Sequence, residues 1–252
     1  MQSDIFSIFW LVIFFFMMFF YPRLLLYQLL NRFSKTSQLL ENLNEKGKSI
    51  ILSKIKGGKD EKNKIDNFLN FFIVTPVSLD PFGIVKKLEL LITQSEKRFK
   101  YFADKLARNL SEEERWNFVS ALSAQIGLHQ LTKIVRHYIR LIEKTKSYQL
   151  GLILQMQLPL LEKSSKALYK AVEAFVNGYP IGDSAGALLA ASMMKSKVME
   201  MDDTVYSVEK INGKKVIIVK AKGPGARIGK LGRVVERLIT KFNVEKVITV
   251  DA

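Results

Sequence analysis

The chain has 252 residues, 39 Lys and Arg against 24 Asp and Glu for a formal net charge of +15, and 48% hydrophobic residues. That length and apolar fraction exclude wholesale disorder and allow one or two domains with a real core. There is no cysteine, which excludes disulfides, a thiol nucleophile and Cys-ligated metal centres.

From Ile5 to Tyr21 every residue except Ser7 is apolar or aromatic, and the run holds seven of the 17 phenylalanines. Extended past Pro22 by Leu24, Leu25 and Leu26, it approaches the roughly 20 residues that cross a hydrocarbon core of about 30 Å. A cleaved signal peptide starts basic and ends in small residues. Met1 to Asp4 carries no base, and the run ends Tyr21-Pro22-Arg23, so an uncleaved transmembrane anchor is expected over residues 1–30. Phe14-Phe15-Phe16 and Phe19-Phe20 leave no polar face for a soluble helix. Arg23, Arg32, Lys35, Lys46, Lys48, Lys54 and Lys56 all follow the run and no base precedes it. The positive-inside rule therefore predicts a single-pass protein of the cell membrane, N-terminus outside and bulk of the chain cytoplasmic. A basic body beside an anionic leaflet favours lipid headgroups as partners and calls for no nucleic acid.

Residues 31–64 read as a juxtamembrane helix, over about 36–56, and a linker around Gly57-Gly58. A helical domain is expected over 65–196. Phe71 to Leu79 reads as extended because Pro76 removes a donor and pushes Thr75 out of the α region. Asp80 as N-cap and Pro81 at the first helical position start a helix reaching about Leu110. Ser111 with Glu114 forms a capping box for the next, from about Glu112 to Lys144. A third helical stretch, Tyr148 to Val176, contains Pro159, which predicts a kink or a break. A short helix starts near Ala185, capped by Asp183 or Ser184.

Residues 197–252 change character. Val205 to Ile211 and Lys215 to Ala221 flank Asn212-Gly213, the signature of a type I′ hairpin. A glycine loop, a helix ending near Asn243 and the β-branched run Val247 to Val250 follow. Strand, crossover helix and strand make a βαβ unit, a Rossmann-like half. The expected class is thus α-rich, mixed α+β: transmembrane helix, cytoplasmic helical region, and C-terminal β-hairpin plus βαβ element.

The loop Gly223-Pro224-Gly225-Ala226-Arg227-Ile228-Gly229-Lys230 carries the one candidate for binding chemistry. Its glycines permit close ligand approach, and free N–H groups at a helix N-terminus attract anions. Arg227 and Lys230 are disfavoured there by the helix dipole, a conflict that a bound phosphate would resolve. Asp251 stands 22 residues after Gly229, near the ribose-binding acid of dinucleotide folds. The third fingerprint glycine is displaced, position 228 being Ile228, so a purely structural turn is equally admissible. Gly182 and Asp183 could line a second wall of the same pocket, or merely cap the next helix.

No Walker motif occurs, and no Ser/His/Asp set can be assembled. His129 and His137 lie eight apart on one helix and point in different directions, so they suggest no metal pair. Lys133, Arg136, His137, Arg140 and Lys144 form a basic stripe that reads first as a solvated face.

Four stretches carry a family resemblance: Pro76 to Val85, Leu154 to Leu160, Pro180 to Asp183, and Gly223 to Arg227. On these residues the chain resembles an archaeal family of membrane-anchored proteins catalogued as a domain of unknown function. The resemblance covers most of residues 70–252 and implies no substrate or catalytic residue. Family members look longer at the C-terminus, which implies a shortened chain here.

Two functions are expected. One is binding of a phosphorylated small molecule or nucleotide at the Gly223–Gly229 loop. The other is a membrane-tethered scaffold that docks a protein partner, a second copy or anionic lipid through its helices and basic surface, the glycines being structural. An enzyme completed by residues on a missing tail or another subunit is a third possibility.

Overall fold

The computed structural model describes residues 2–72, 83–179, 181–182, 184–223, 227 and 229–250. In chain order these form α1 (Gln2–Lys54), α2 (Lys59–Phe71), α3 (Ile84–Leu106), α4 (Glu112–Thr145), α5 (Tyr148–Val176), α6 (Ala185–Met193), β1 (Met199–Met201), β2 (Thr204–Ile211), β3 (Lys214–Ala221) and α7 (Leu231–Phe242). The protein is helix-rich with one small sheet. Contacts divide it into two compact units that interleave along the chain. The first comprises residues 1–49, 62–75 and 124–170, the second 50–61, 76–123 and 171–252.

α1 is one helix of 53 residues, running through the expected boundary at residue 30 without interruption. The linker expected around Gly57-Gly58 shrinks to a turn, because Asp60 and Glu61 suit the first turn of α2 and Glu61 Oε2 accepts the Gly58 N–H at 2.8 Å. Phe71 ends α2 rather than starting an extended segment. The expected extended residues 73–79 and the Asp80–Pro81 cap lie outside the described residues. The capping box forms as expected: Glu114 N–H donates to Ser111 Oγ at 3.2 Å, and Ser111 N–H to Glu114 Oε2 at 3.0 Å. α5 is unbroken through Pro159, whose ring sits on an exposed face where water can take the carbonyl it leaves unpaired.

The core of the first unit joins Leu26, Leu29, Phe33 and Leu40 of α1 to Val135, Ile139 and Ile142 of α4 and Leu154 and Leu158 of α5. These residues recur at three- and four-residue steps, the spacing that gathers side chains on one helical face. Thr132 Oγ1 donates to the Leu40 carbonyl at 3.5 Å, and Thr36 Oγ1 to Glu162 Oε1 at 2.7 Å. A Cβ at Gly151 would lie 3.2 Å from Leu29. Along α1, therefore, α4 runs antiparallel and α5 parallel, with the turn between them beside Leu26 and Leu29.

In the second unit the sheet has the order β1-β2-β3, all antiparallel. Asn212 and Gly213 both have positive φ, 50° and 78°, as a type I′ turn requires. Asp202 and Asp203, at 50° and 57°, make the same kind of turn between β1 and β2. α7 lays Val234 and Leu238 against Tyr206, and Asn243 closes it in the left-handed conformation. Glu209 of β2 accepts the N–H groups of Lys195 and Ser196 at 2.9 and 2.8 Å. The expected βαβ unit does not form: among the described residues, 244–250 carry no strand and no parallel pair exists. Val247, Ile248 and Val250 are exposed. β-branched composition favours a strand only where a neighbouring edge supplies the ladder.

Candidate functional site

The glycine loop closes around the β1–β2 turn. Gly229 has φ 66°, and a Cβ there would lie 2.7 Å from each of the Asp202 carbonyl, the Asp203 carbonyl and Thr204 Oγ1. Lys230 N–H donates to the Asp202 carbonyl at 3.3 Å, Lys222 N–H to the Asp203 carbonyl at 2.9 Å, and Gly223 N–H to the Arg227 carbonyl at 3.1 Å. Backbone donors at the mouth of α7 are thus partly taken by the protein itself. Ordinary backbone accounting explains why glycine stands at position 229.

Arg227 is the centre of this closure. Its Nε and Nη2 both donate to Asp203 Oδ1 at 2.7 Å, and its Nη1 to Glu112 Oε1 at 2.9 Å, while Glu200 stands 3.7 Å away. The guanidinium also lies over the Trp116 ring, 5.7 Å from its centre. Its side chain is 13% exposed. Burial opposes the charge, but the hydrogen bond to Asp203 and the charges of Asp203, Glu112 and Glu200 outweigh it and raise the guanidinium pKa. Arg237 donates to Asp202 Oδ2 at 2.8 Å, Lys222 pairs with Glu200, and Arg233 with Glu89.

Of the residues expected to bind phosphate, Gly223, Arg227, Gly229 and Lys230 come together in this loop. Gly225, Asp183 and Asp251 lie outside the described residues. Gly182 has φ 110° with open space around it. The carboxylates that hold Arg227 escaped sequence reasoning. Asp202-Asp203 between two β-rich runs was the available signal for a turn, but nothing local links it to Glu112, which is 115 residues from Arg227.

A second polar assembly lies within the first unit. His129, 3% exposed, has Nδ1 3.3 Å from Asn44 Nδ2 and Nε2 3.1 Å from Asn70 Oδ1. That network fixes a neutral ring, with Nε2–H donating to Asn70 and Nδ1 accepting from Asn44. Gln125 Nε2 donates to Asn44 Oδ1 at 2.9 Å, and its carbonyl end fills the space a Cβ at Gly47 would need, at 2.1 Å. Lys48 is clamped between Glu45 and Asp66 at 2.8 and 2.7 Å. Burial, followed by the charges of Lys48 and Lys133, lowers the His129 pKa to about 4. The unfolded chain therefore takes up a proton first as pH falls. Stability from neutral His129 is fully present above the unfolded value near 6.5 and is lost as pH falls through about 4. The expected loss approaches about 3 kcal/mol. Denaturant midpoints of the full chain, measured in detergent from neutral to acid pH, should show that decline, and it should flatten in His129→Gln.

The third feature is the start of α1. Among the described residues α1 is the one helix long and apolar enough to cross a membrane, and its apolar window has mean hydropathy 2.0 with 6% buried. Phe9, Trp10, Leu11, Val12, Phe14, Phe15 and Phe16 are all exposed, and among the described side chains of α1 the first buried one is Leu26.

Comparison with known families decides the relationship. Residues 7–178 match the N-terminal domain of a protein of unknown function, DUF1512, and residues 181–252 match its C-terminal domain. The chain belongs to the DUF1512 family. No curated protein and no solved structure matches it. The boundary between the DUF1512 domains falls between α5 and α6, so the first domain holds the long helices and the second the sheet, the glycine loop and α7.

Proposed function

We propose that this DUF1512 protein is a membrane-tethered scaffold. α1 spans the bilayer once, the helical body lies on the cytoplasmic side, and the glycine loop is a structural clasp. The observation that carries this reading is the apolar window of α1, 6% of which is buried in the protein. A rod of exposed phenylalanine and leucine is not sustained in water, whereas hydrocarbon covers it at no cost in backbone hydrogen bonds. Bases confined to positions from Arg23 onward favour a cytoplasmic body.

The absence of cysteine makes the test direct. Single cysteines at Gln2 and Lys170 of the full chain should react with an impermeant maleimide on intact cells at position 2 only. Labelling at 170 without permeabilisation would overturn the orientation.

Support for a phosphate pocket is weaker, because an incoming anion would have to displace Asp203 and Glu112 from Arg227 and reverse a locally neutralised set of charges. Thermal unfolding with nucleotides and sugar phosphates separates the two readings. The scaffold reading expects no stabilisation; stabilisation that Arg227→Ala abolishes would restore the loop as a ligand site.

A further inference from the structure

We infer that the outward face of α4, from Lys133 to Lys144, docks an acidic amphipathic helix of a partner protein. The inference rests on the scaffold reading and names the chemistry of what the scaffold holds.

Spacing comes first. Lys133, His137, Arg140 and Lys144 follow one another at steps of four, three and four residues, which places them within about 60° of one another around the helix. All four are exposed, on the side turned away from the core residues Val135, Ile139 and Ile142. A second column, Ile134, Tyr138 and Leu141, runs beside the first at the same steps. Ile134 and Tyr138 are exposed by 50% and 45%. Steps of four and three are those at which one helix meets another lying along it.

Charge says what that second helix carries. Residues 128–150 hold five bases against the single acid Glu143. Arg136, to one side of the column, is answered by Glu41 at 3.6 Å, whereas Lys133, Arg140 and Lys144 have no ion-pair partner among the described residues.

Direction rules out a bilayer as the cover. α4 runs antiparallel to α1, and the turn that follows Lys144 stands beside Leu26 and Leu29. With α1 as a span, the column leads about 16 Å away from the lipid. A flat membrane reaches only its last base. A phosphate backbone would answer the bases but not Ile134 and Leu141. A helix with carboxylates in one column and leucines in the next answers both, the mode in which an amphipathic helix lies along a groove.

The test uses the full chain in phosphatidylcholine vesicles and a fluorescein-labelled synthetic peptide of about 18 residues, five helical turns. The peptide carries Glu in one column at the same steps and Leu in the next, and a peptide of equal composition in scrambled order is the control. Anisotropy should show the columned peptide binding at least about tenfold more tightly than the scrambled one. Lys133→Gln, Arg140→Gln and Lys144→Gln together should weaken it by about tenfold. Lys163→Gln, Lys166→Gln and Lys170→Gln remove as much charge from exposed positions on α5 and should change it by less than about twofold. Tyr138→Ala should weaken the columned peptide and leave the scrambled one unchanged. Unaltered thermal midpoints of these surface variants exclude loss of fold. Equal binding of the two peptides, or equal losses from the two triple substitutions, means attraction to bulk charge and overturns the docking face. Tighter binding of an oligouridylate of equal charge through the α4 bases overturns it as well. So does quenching of a fluorophore on His137→Cys by headgroup nitroxides in phosphatidylserine vesicles. Maleimide labelling at positions 2 and 170 reads the tether separately. If the labelling fails while the peptide docks, the orientation falls and the face stands; if the peptide fails while the labelling holds, only the face falls.

Discussion

Replacing Gly229 by alanine is expected to destabilise the second unit by about 3 kcal/mol or more, lowering its thermal midpoint by about 10 °C. Two effects combine. The residue holds φ 66°, where an L side chain is strained, and the new methyl would meet two backbone carbonyls and a hydroxyl at 2.7 Å. Carbonyls of a tight turn cannot rotate away as a flexible side chain could. Gly213 is the built-in control: its φ is 78°, but nothing lies within 4 Å of its Cβ position. Gly213→Ala should therefore show only the strain, about 1 kcal/mol. Equal losses at both sites, measured by thermal unfolding of the full chain in detergent, would mean that the loop is not clasped on the β1–β2 turn.

The largest effect on localisation is expected from charge placed in the middle of the apolar window. Val12→Arg with Phe15→Arg should move the full chain out of the alkali-resistant membrane fraction. Each arginine at a span centre costs about 2.5–3.5 kcal/mol on insertion scales, so the pair changes partitioning by about 10⁴-fold. Flotation of the variant with vesicles distinguishes release from aggregation. If the double variant floats as the unaltered chain does, α1 is not buried in hydrocarbon.

Local signals were legible wherever the physics is local. Ser111 and Glu114 satisfy each other within one turn, Asn212-Gly213 turns on its own φ preferences, and Asn243 stops α7 by entering the left-handed region. Each could be placed to the residue from sequence. What escaped depends on distant partners. Val247 to Val250 has the composition of a strand, yet its state depends on whether an edge is free to receive it. Arg227 looked like a cation waiting for an anion because its charge is visible in the sequence and its carboxylates are not. Glu112 belongs to α4 and Asp203 to a turn, and only folding brings them to the guanidinium. The polar layer around His129 escaped for the same reason: Asn44, Asn70 and Gln125 are unremarkable singly and meet only when three helices pack. The basic stripe from Lys133 to Lys144 was read correctly as exposed, since charged side chains recurring on one helix face mark a solvated surface without reference to a distant partner.

The continuity of α1 has a mechanical consequence. Its 53 residues form an uninterrupted rod about 80 Å long, with the exposed apolar stretch at one end and the bundle packed around its middle. No swivel separates the two, so the bundle inherits whatever inclination the first part adopts. In the proposed span, a thinner hydrocarbon layer that forces the rod to lean would tip the helices packed on its middle by the same angle, so that the first unit would register the thickness of the surrounding lipid.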